Sequence, residues 1–432
     1  MKRQLAVLLS AILVVLVVAA AVQVFAYARR PIPPPQTTAT TPPFRTIVVG
    51  TGLSAAAFLY FLSPGLRASV SLRESSSRAG GRVLTTTQTI QPVNTAQQAF
   101  EYGAWAFDSF TSARTMAVLL SLQVPLTPQV QLRSRSFVYA AGVRTSWPGV
   151  PKDLVDPGAW RAFTNLGVSD LTEVSVSTLT PFVLPEFCLV PTGLGWQGVV
   201  LRGLGLRPVT YGKRLQRLSV SGGWVTLEYA DGTSERVRAV LLTCSPKELA
   251  DIAGVLPEVL AAMESLVSVT QGILYATWTA QTAGWMEAQG FVAAAASTDL
   301  PVGRVITINS NVLRCEVSGS EDVTFWTEEI LRRGMTSACA QVQQQLQAVF
   351  PDAEVSAPES VSFRGWPAAR CLWRGGVDIG ATRQLLQRPC GAGAPVWWSS
   401  GDIGADQGTV EGCLAAAEEA AAAWGTLDVR VP

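Results

Sequence analysis

Apolar and polar positions divide the chain into three regimes. Residues 5–28, LAVLLSAILVVLVVAAAVQVFAYA, form one apolar run interrupted only by Ser10 and Gln23. At ~1.5 Å per residue, some 20 such residues cross a bilayer core as a helix. The run predicts a single-pass membrane anchor over residues 1–28. A cleaved secretion signal is the competing reading, because Ala26-Tyr27-Ala28 is a small-x-small site, but the run exceeds the ~7–15 apolar residues of a signal core. PIPPPQTTATTPPF (31–44) has no apolar period and predicts an extended, semi-rigid tether over 29–44. Strand and helix periods begin after it. Thr46–Val49 is β-branched and reads as a buried strand, Ala55–Leu62 as a helix, and Ala68-Ser69-Val70-Ser71-Leu72 as a second strand. Residues 209–232 carry two or three strands with the hairpin turn Ala230-Asp231-Gly232, followed by a strand over Ala239–Thr243. Residues 395–424 read as a strand, a glycine-acid turn and a long alanine-rich helix. Strands alternating with helices predict an α/β body.

Composition narrows the chemistry. Apolar residues make up 48% and charged residues 15%, which gives an ordered body instead of a disordered chain. A net charge of +1 with no basic run excludes a nucleic-acid partner. The chain has no histidine, so histidine triads, histidine metal sites and imidazole acid–base catalysis are all excluded. The seven cysteines are scattered and never form a CxxC pair, which argues against a structural zinc site and leaves room for one or two disulfides at most.

The first turn carries the chemistry. Gly50-Thr51-Gly52-Leu53-Ser54-Ala55 joins the first strand to the first helix with GxGxxA spacing. Gly50 permits the tight turn, Gly52 lets the backbone approach a pyrophosphate, Ala55 lets the helix sit on the sheet, and the helix N-terminus faces the negative charge. Glu74 follows the second strand, 24 residues after Gly50, where a carboxylate can accept both hydroxyl protons of a ribose. Strand, fingerprint, helix, strand and acid together predict a dinucleotide site.

Directly after the acid comes RESSSRAGGRVLT (73–85). A nicotinamide fold has no use for it. Glu74, Arg78, Gly80, Gly81 and Arg82 match the E-x-x-x-R-x-G-G-R spacing of the flavin-containing amine oxidase family, and the chain resembles that family along its length. Glu101-Tyr102-Gly103-Ala104-Trp105 is similar to the segment beside the flavin ring, PTGLGWQGVVLRGL (191–204) to a helix lead-in, and Leu215-x-x-Leu218 to a strand whose first residue lies near the adenine. PVWWSSGDIGADQGTVEGCLAAAEEAAAAW (395–424) resembles the closing motif. There Gly401-Asp402 meets the ribityl or pyrophosphate, and Gly408-Thr409-Val410-Glu411-Gly412 places backbone N–H groups against the flavin N1/C2=O edge. A surface helix capped by Thr409 would account for that helix alone, not for its coincidence with two N-terminal motifs.

The resemblance implies a Rossmann-like FAD-binding domain (45–114, 191–264 and 386–432) interleaved with an α+β substrate domain (115–190 and 265–385). It implies non-covalent FAD held by Gly50, Gly52, Leu53, Ser54, Ala55, Glu74, Arg78, Gly80, Gly81, Arg82, Ala104, Trp105, Leu215, Gly401, Asp402, Thr409 and Val410. It also implies hydride transfer from a small-molecule substrate, with O2 as acceptor. The chain departs from the family at the lysine near flavin N5: residues 265–285 contain none, and Gln271 or Tyr275 stands near that position. The aromatic pair that sandwiches an amine is incomplete, with Thr409 at one of its places. Cys371 and Cys390 do not fit the spacing for covalent flavin. Trp278, Trp285, Trp366 and Trp373 in the substrate half point to an apolar or aromatic substrate. The alternative implied by these departures is an FAD-binding protein without catalysis.

Overall fold

The computed structural model describes residues 46–89, 97–146, 187–205, 207–404 and 406–426. The predicted anchor and tether lie outside these residues, as does the whole of 147–186. Among the described residues no helix is long and apolar enough to cross a membrane. The protein is a mixed α/β fold built on two principal sheets.

The first is a five-stranded parallel sheet in the order Val396–Trp398, Ala239–Leu242, Thr46–Val49, Val70–Arg73, Val209–Thr210. Its central strands are apolar at every position because both faces are covered, which is why TIVV and AVLL show no alternation. Val48, Leu72 and Leu241 face helices Leu53–Phe61, Gly195–Leu204 and Val410–Thr426. Ile47, Val49, Val240 and Leu242 face the opposite way, onto an antiparallel meander of Leu215–Ser221, Trp224–Tyr229 and Ser234–Val237. The second strand starts at Val70 instead of Ala68, because Pro64 at a helix N-terminus starts a short helix through Ala68. The first helix begins at Leu53, two residues earlier than its apolar pattern suggests.

The closing helix is not on the surface. Ala416, Ala417, Ala420 and Trp424 are buried against Ala55, Ala56, Ala57 and Phe58 of the first helix. Small side chains on both partners let the two axes approach closely. Phe58 meets Trp424 edge-on at 5.3 Å, a geometry that adds ~0.5–1.5 kcal/mol to the burial of the two rings.

The second sheet has seven strands, in the order Ser360–Trp373, Leu266–Thr277, Val312–Ser318, Arg304–Asn309, Ala295–Thr298, Phe137–Ala140, Val143–Ser146. All neighbours are antiparallel except Ala295–Thr298 with Phe137–Ala140. Side-chain alternation gives it two unlike faces. Leu274, Ala276, Leu313, Cys315 and Val317 join a core with helices Ser320–Glu328 and Met335–Val349. Ile273 and Tyr275 belong to the other face, which meets Phe100 and Tyr102 from the hairpin of Thr85–Thr89 and Gln97–Glu101.

This parity corrects the reading of the tryptophans. Trp278 and Trp285 are buried on the helix side of the sheet, and Trp373 is buried in the core beneath the parallel sheet. They fill volume and line no site. Trp366 alone of the four stands in the row of Gln271, directly opposite it, with its Nε1–H donated to the Tyr102 carbonyl. All seven cysteines are free thiols, so the disulfides allowed by the sequence do not form.

Candidate active site

The glycine turn and RAGGR, 28 residues apart in sequence, are brought into direct contact. The Gly80 N–H donates to the Thr51 carbonyl at 3.0 Å, and Gly52 and Gly80 form a parallel bridge. A Cβ on Gly81 would stand 3.4 Å from the Gly52 Cα, and φ is +58° there. Gly80 has φ +124°, and a Cβ on it would lie 2.6 Å from the Val83 carbonyl oxygen. These glycines leave a bare strip of backbone. At the head of the strip, the first helix has Gly52 at its cap and no side-chain cap bond, so its first-turn N–H groups are free for an anion. This cradle fits a pyrophosphate.

Other predicted residues close a ring around the strip. Glu101–Trp105 crosses directly over RAGGR, so that a Cβ on Gly103 would fall 1.9 Å from the Arg82 carbonyl oxygen. Arg82 reaches Asp402 with both terminal nitrogens, at 2.9 and 2.8 Å, and also donates to the Ala369 carbonyl. Asp402 is fully buried and further accepts from the Cys371 N–H and the Ser400 hydroxyl. It therefore ties RAGGR, the strand Ser360–Trp373 and the closing turn to one carboxylate. Gly401 packs on Cys413, and the Cys413 thiol lies 3.0 Å from the Ser54 hydroxyl, which returns the ring to the first helix.

Several predicted residues sit in the ring with partners different from those expected. Glu74 is buried, with Oε2 accepting from the Thr51 N–H and hydroxyl and Oε1 from the Ser76 N–H and hydroxyl. It fastens the second strand to the glycine turn, so a ribose would compete with Ser76. Arg78 donates to the Val83 and Gly81 carbonyls and staples its own turn, instead of reaching outwards. Arg82 forks onto the Asp402 carboxylate, so its two terminal nitrogens are spent within the protein. Leu215 is core beneath the parallel sheet, and Ala104 packs against the helix-side core. Thr409 is exposed and caps the closing helix, accepting from the Gly412 N–H at 3.0 Å. Val410 packs half-buried behind it.

Register on the strand Leu266–Thr277 settles where the two stand-ins for lysine lie. Gln271 is opposite Ser318 and Trp366, and Tyr275 is opposite Arg314 and Ser362. Tyr275 stacks on Phe100 at 4.4 Å, and its hydroxyl is bracketed by the Glu101 N–H and carbonyl. Burial raises its pKa, so this phenol joins the two sheets and stays protonated.

The sequence reading missed the charged groups of this face. Arg304, Arg314 and Arg370 are 5%, 2% and 5% exposed, so all three guanidiniums are taken out of water. Arg314 and Arg304 both pair with Glu316. The Arg314 guanidinium also lies over the Trp105 ring, 4.7 Å from its centroid. The Arg370 stem packs on Gly408, where a Cβ would be 2.8 Å away. Burial pushes Arg370 down to about 10 against the pull of Glu316. Burial likewise pushes Glu101 up to about 7, although the Trp196 N–H and the Thr85 hydroxyl donate to it. The readable signal was alternation: VLRCEVS (312–318) places Arg314, Glu316 and Ser318 on one face and Leu313, Cys315 and Val317 on the other. Among the described residues no cluster of carboxylates and cysteines could hold a metal ion.

Comparison with known proteins agrees with this geometry. The family model described as flavin containing amine oxidoreductase matches residues 200–423, more than half of the chain. The chain belongs to this family. It is a flavin-dependent oxidoreductase. Among solved structures, cyclohexylamine oxidase from Brevibacterium oxydans IH-35A superposes with a TM-score of 0.67 at 18% identity, covering 88% of this chain and 98% of that one. At that identity the likeness is one of fold. No curated protein matches the chain in sequence. As an amine oxidoreductase relative, the protein presents its glycine cradle on the parallel sheet and its charged face on the seven-stranded sheet, with Trp105 and Gly408 where the two meet.

Proposed function

We propose that the protein binds FAD non-covalently and oxidises an amine or another small organic substrate, with O2 accepting the electrons. The observation that carries this reading is the closed ring from Gly52 through Gly81, Arg82, Asp402 and Cys413 back to Ser54. It brings three glycine-bearing segments from both ends of the chain to one strip of backbone without side chains. Residues 45–114, 191–264 and 386–432 form the FAD unit in this reading, and 115–190 and 265–385 the substrate unit. Bound flavin supplies a hydride acceptor at N5. The chain's own part is to place the anion at the uncapped N-terminus of helix Leu53–Phe61, to shield the site with the Phe100–Tyr275 stack, and to hold Trp105 rigid through its carbonyl bond from Trp196. Non-covalent attachment is supported by the thiols: burial pushes Cys371 up to about 12 and Cys390 up to about 11, which disfavours the reactive thiolate of either.

The test is the absorption spectrum of the purified protein, followed by release of flavin on denaturation and anaerobic titration with a substrate panel. A colourless, folded protein would end the proposal. The second reading, a flavin-binding protein without catalysis, is favoured by the engaged Tyr275 hydroxyl and the lack of lysine in 265–285. It predicts bound flavin that no member of the panel reduces. Residues 1–28 would hold the body at a membrane. Fractionation of the full chain against a chain lacking 1–28 tests that assignment, which fails if both remain in the soluble fraction.

A further inference from the structure

The end of the parallel sheet opposite the glycine cradle carries a basic, partly apolar edge. Strands Ala239–Leu242, Thr46–Val49 and Val70–Arg73 start side by side there, because Thr46 pairs with Ala239 on one flank and with Val70 on the other. Arg238 therefore stands beside the point where residues 1–45 join the body. Val209 pairs with Leu72, which brings Arg207 to the same end. There Arg207 is close enough to Arg67 to add to the lowering of its pKa by burial. At the other corner, the Trp224 ring has the Arg238 guanidinium 3.7 Å and the Arg236 guanidinium 5.0 Å from its centroid. Among the described residues none of these four arginines pairs with a carboxylate. Arg67 caps helix Leu53–Phe61 through the Tyr60 and Leu62 carbonyls, but no internal anion answers the other three. Like charges gathered without an acid between them repel one another and favour an anionic partner outside the fold. Helices Ala113–Ser121 and Gly195–Leu204 finish at this end as well, and leave Leu120 and Leu201 54% and 46% exposed.

We propose that this edge is the face the protein lays on an anionic lipid surface, with Trp224 at the level of the headgroups and the four guanidiniums on their acidic oxygens. This rests on the membrane assignment of residues 1–28 given above, and adds to it the docking face and the charge of the lipid. The chain supplies the geometry. The Pro/Thr-rich segment 29–44 reaches at most about 50 Å at ~3.1 Å per residue. It joins the body at Thr46, whose strand starts between those next to Arg238 and Arg67. A tether of this length holds the body at an effective concentration on the order of millimolar, so contacts too weak to recruit a free protein suffice. Each arginine near an anionic surface multiplies docking about fivefold. Tryptophan suits the depth of the headgroups because its ring is apolar and its N–H is polar. Arg29, Arg30 and Arg45 add charge of the same sign along the tether. Docked in this way, the glycine cradle at the opposite ends of the strands points away from the lipid.

The experiment reconstitutes the full chain into vesicles of phosphatidylcholine, or of phosphatidylcholine mixed with phosphatidylserine, and follows amide hydrogen exchange by mass spectrometry. Exchange in 220–226 and 236–239 is expected to slow about fivefold or more when phosphatidylserine is present. The slowing should vanish at about 1 M salt, where the Debye length falls to ~3 Å. Arg236→Gln combined with Arg238→Gln should weaken docking about 30-fold, the product of two fivefold steps, and leave flavin content unchanged. If that variant does not fold, the salt reversal in the native chain decides. Equal exchange with both lipids overturns the proposal and leaves the anchor standing. Slowing that follows protein concentration in the absence of lipid also overturns it, because the occupant is then a second copy. A chain that enters neither vesicle removes the anchor. The same vesicles are then mixed with the soluble protein: salt-sensitive binding to phosphatidylserine upholds the docking face, and no binding overturns it.

Discussion

The glycine cradle and the seven-stranded sheet of this protein are built by opposite means. The glycine cradle is made of backbone: Gly52, Gly80, Gly81 and Gly103 matter for what they lack, and close approach of chain to chain is their common property. The seven-stranded sheet is made of side chains: Arg304, Arg314, Glu316 and Arg370 arrive from three strands and are ordinary residues individually. A backbone site has steric limits that admit one residue type. A side-chain site has a charge balance that many combinations satisfy. The first should fail sharply on substitution, and the second should respond in degrees.

The sharpest break is expected at Gly103. Gly103→Val places a Cβ 1.9 Å from the Arg82 carbonyl oxygen, with backbone on both sides and no flexible atom to yield. A loss of several kcal/mol, on the scale of the most severe single substitutions, should abolish flavin retention. Full flavin content in the soluble variant would show that the crossing of 101–105 over RAGGR is wrong. Next comes Asp402→Ala, which leaves Arg82, the Cys371 N–H and the Ser400 hydroxyl without their acceptor. Arg82 is partly solvated, so the loss comes mainly from the groups left without an acceptor, about 1–3 kcal/mol each. Because Asp402 joins both regions, the double variant with Arg82→Met should recover part of that loss in urea unfolding, and strict additivity would deny the coupling.

Glu101 gives a graded test. Its carboxyl ionises near 4.5 when unfolded and is pushed up to about 7 by burial in the fold. Between those values the folded state keeps a proton that the unfolded state releases, so stability is full below pH 4.5 and falls as pH rises to 7. The whole effect is up to about 3 kcal/mol. Glu101→Gln should flatten the stability profile between pH 5 and 7; an unchanged slope would place the titration elsewhere. The smallest effect is expected at Thr409, whose hydroxyl caps the closing helix. Thr409→Ala should lower stability by about 1 kcal/mol in urea and leave the flavin in place. A larger loss, or loss of flavin, would give Thr409 a direct part in holding the cofactor.

Legibility in the sequence followed the same division. The glycine turn, Glu74, RAGGR and the closing motif could be read because each needs fixed spacing within one segment. Their meeting in a ring was implied by family likeness, yet the partners differ: Arg82 holds Asp402, and Glu74 holds Thr51 and Ser76. Glu411 was read for its backbone N–H alone, and its side chain went unread. It sits beside Gly412 on the closing helix and accepts from the Thr115 N–H and hydroxyl, which caps helix Ala113–Ser121 nearly 300 positions away in the chain. The tryptophans misled because a large ring looks the same in a core and in a pocket until strand parity is known.

By itself the sequence determined the parallel sheet, the cradle for an anion, the kind of cofactor and the exclusion of histidine chemistry, imidazole metal ligands included. Those properties reside in local backbone requirements and in residue types that are present or absent. Only the tertiary structure decided which carboxylate answers which guanidinium, that Tyr275 is a stacking joint, and that three arginines share one buried face. Those outcomes depend on register between strands distant in sequence, and on desolvation, which no single segment carries.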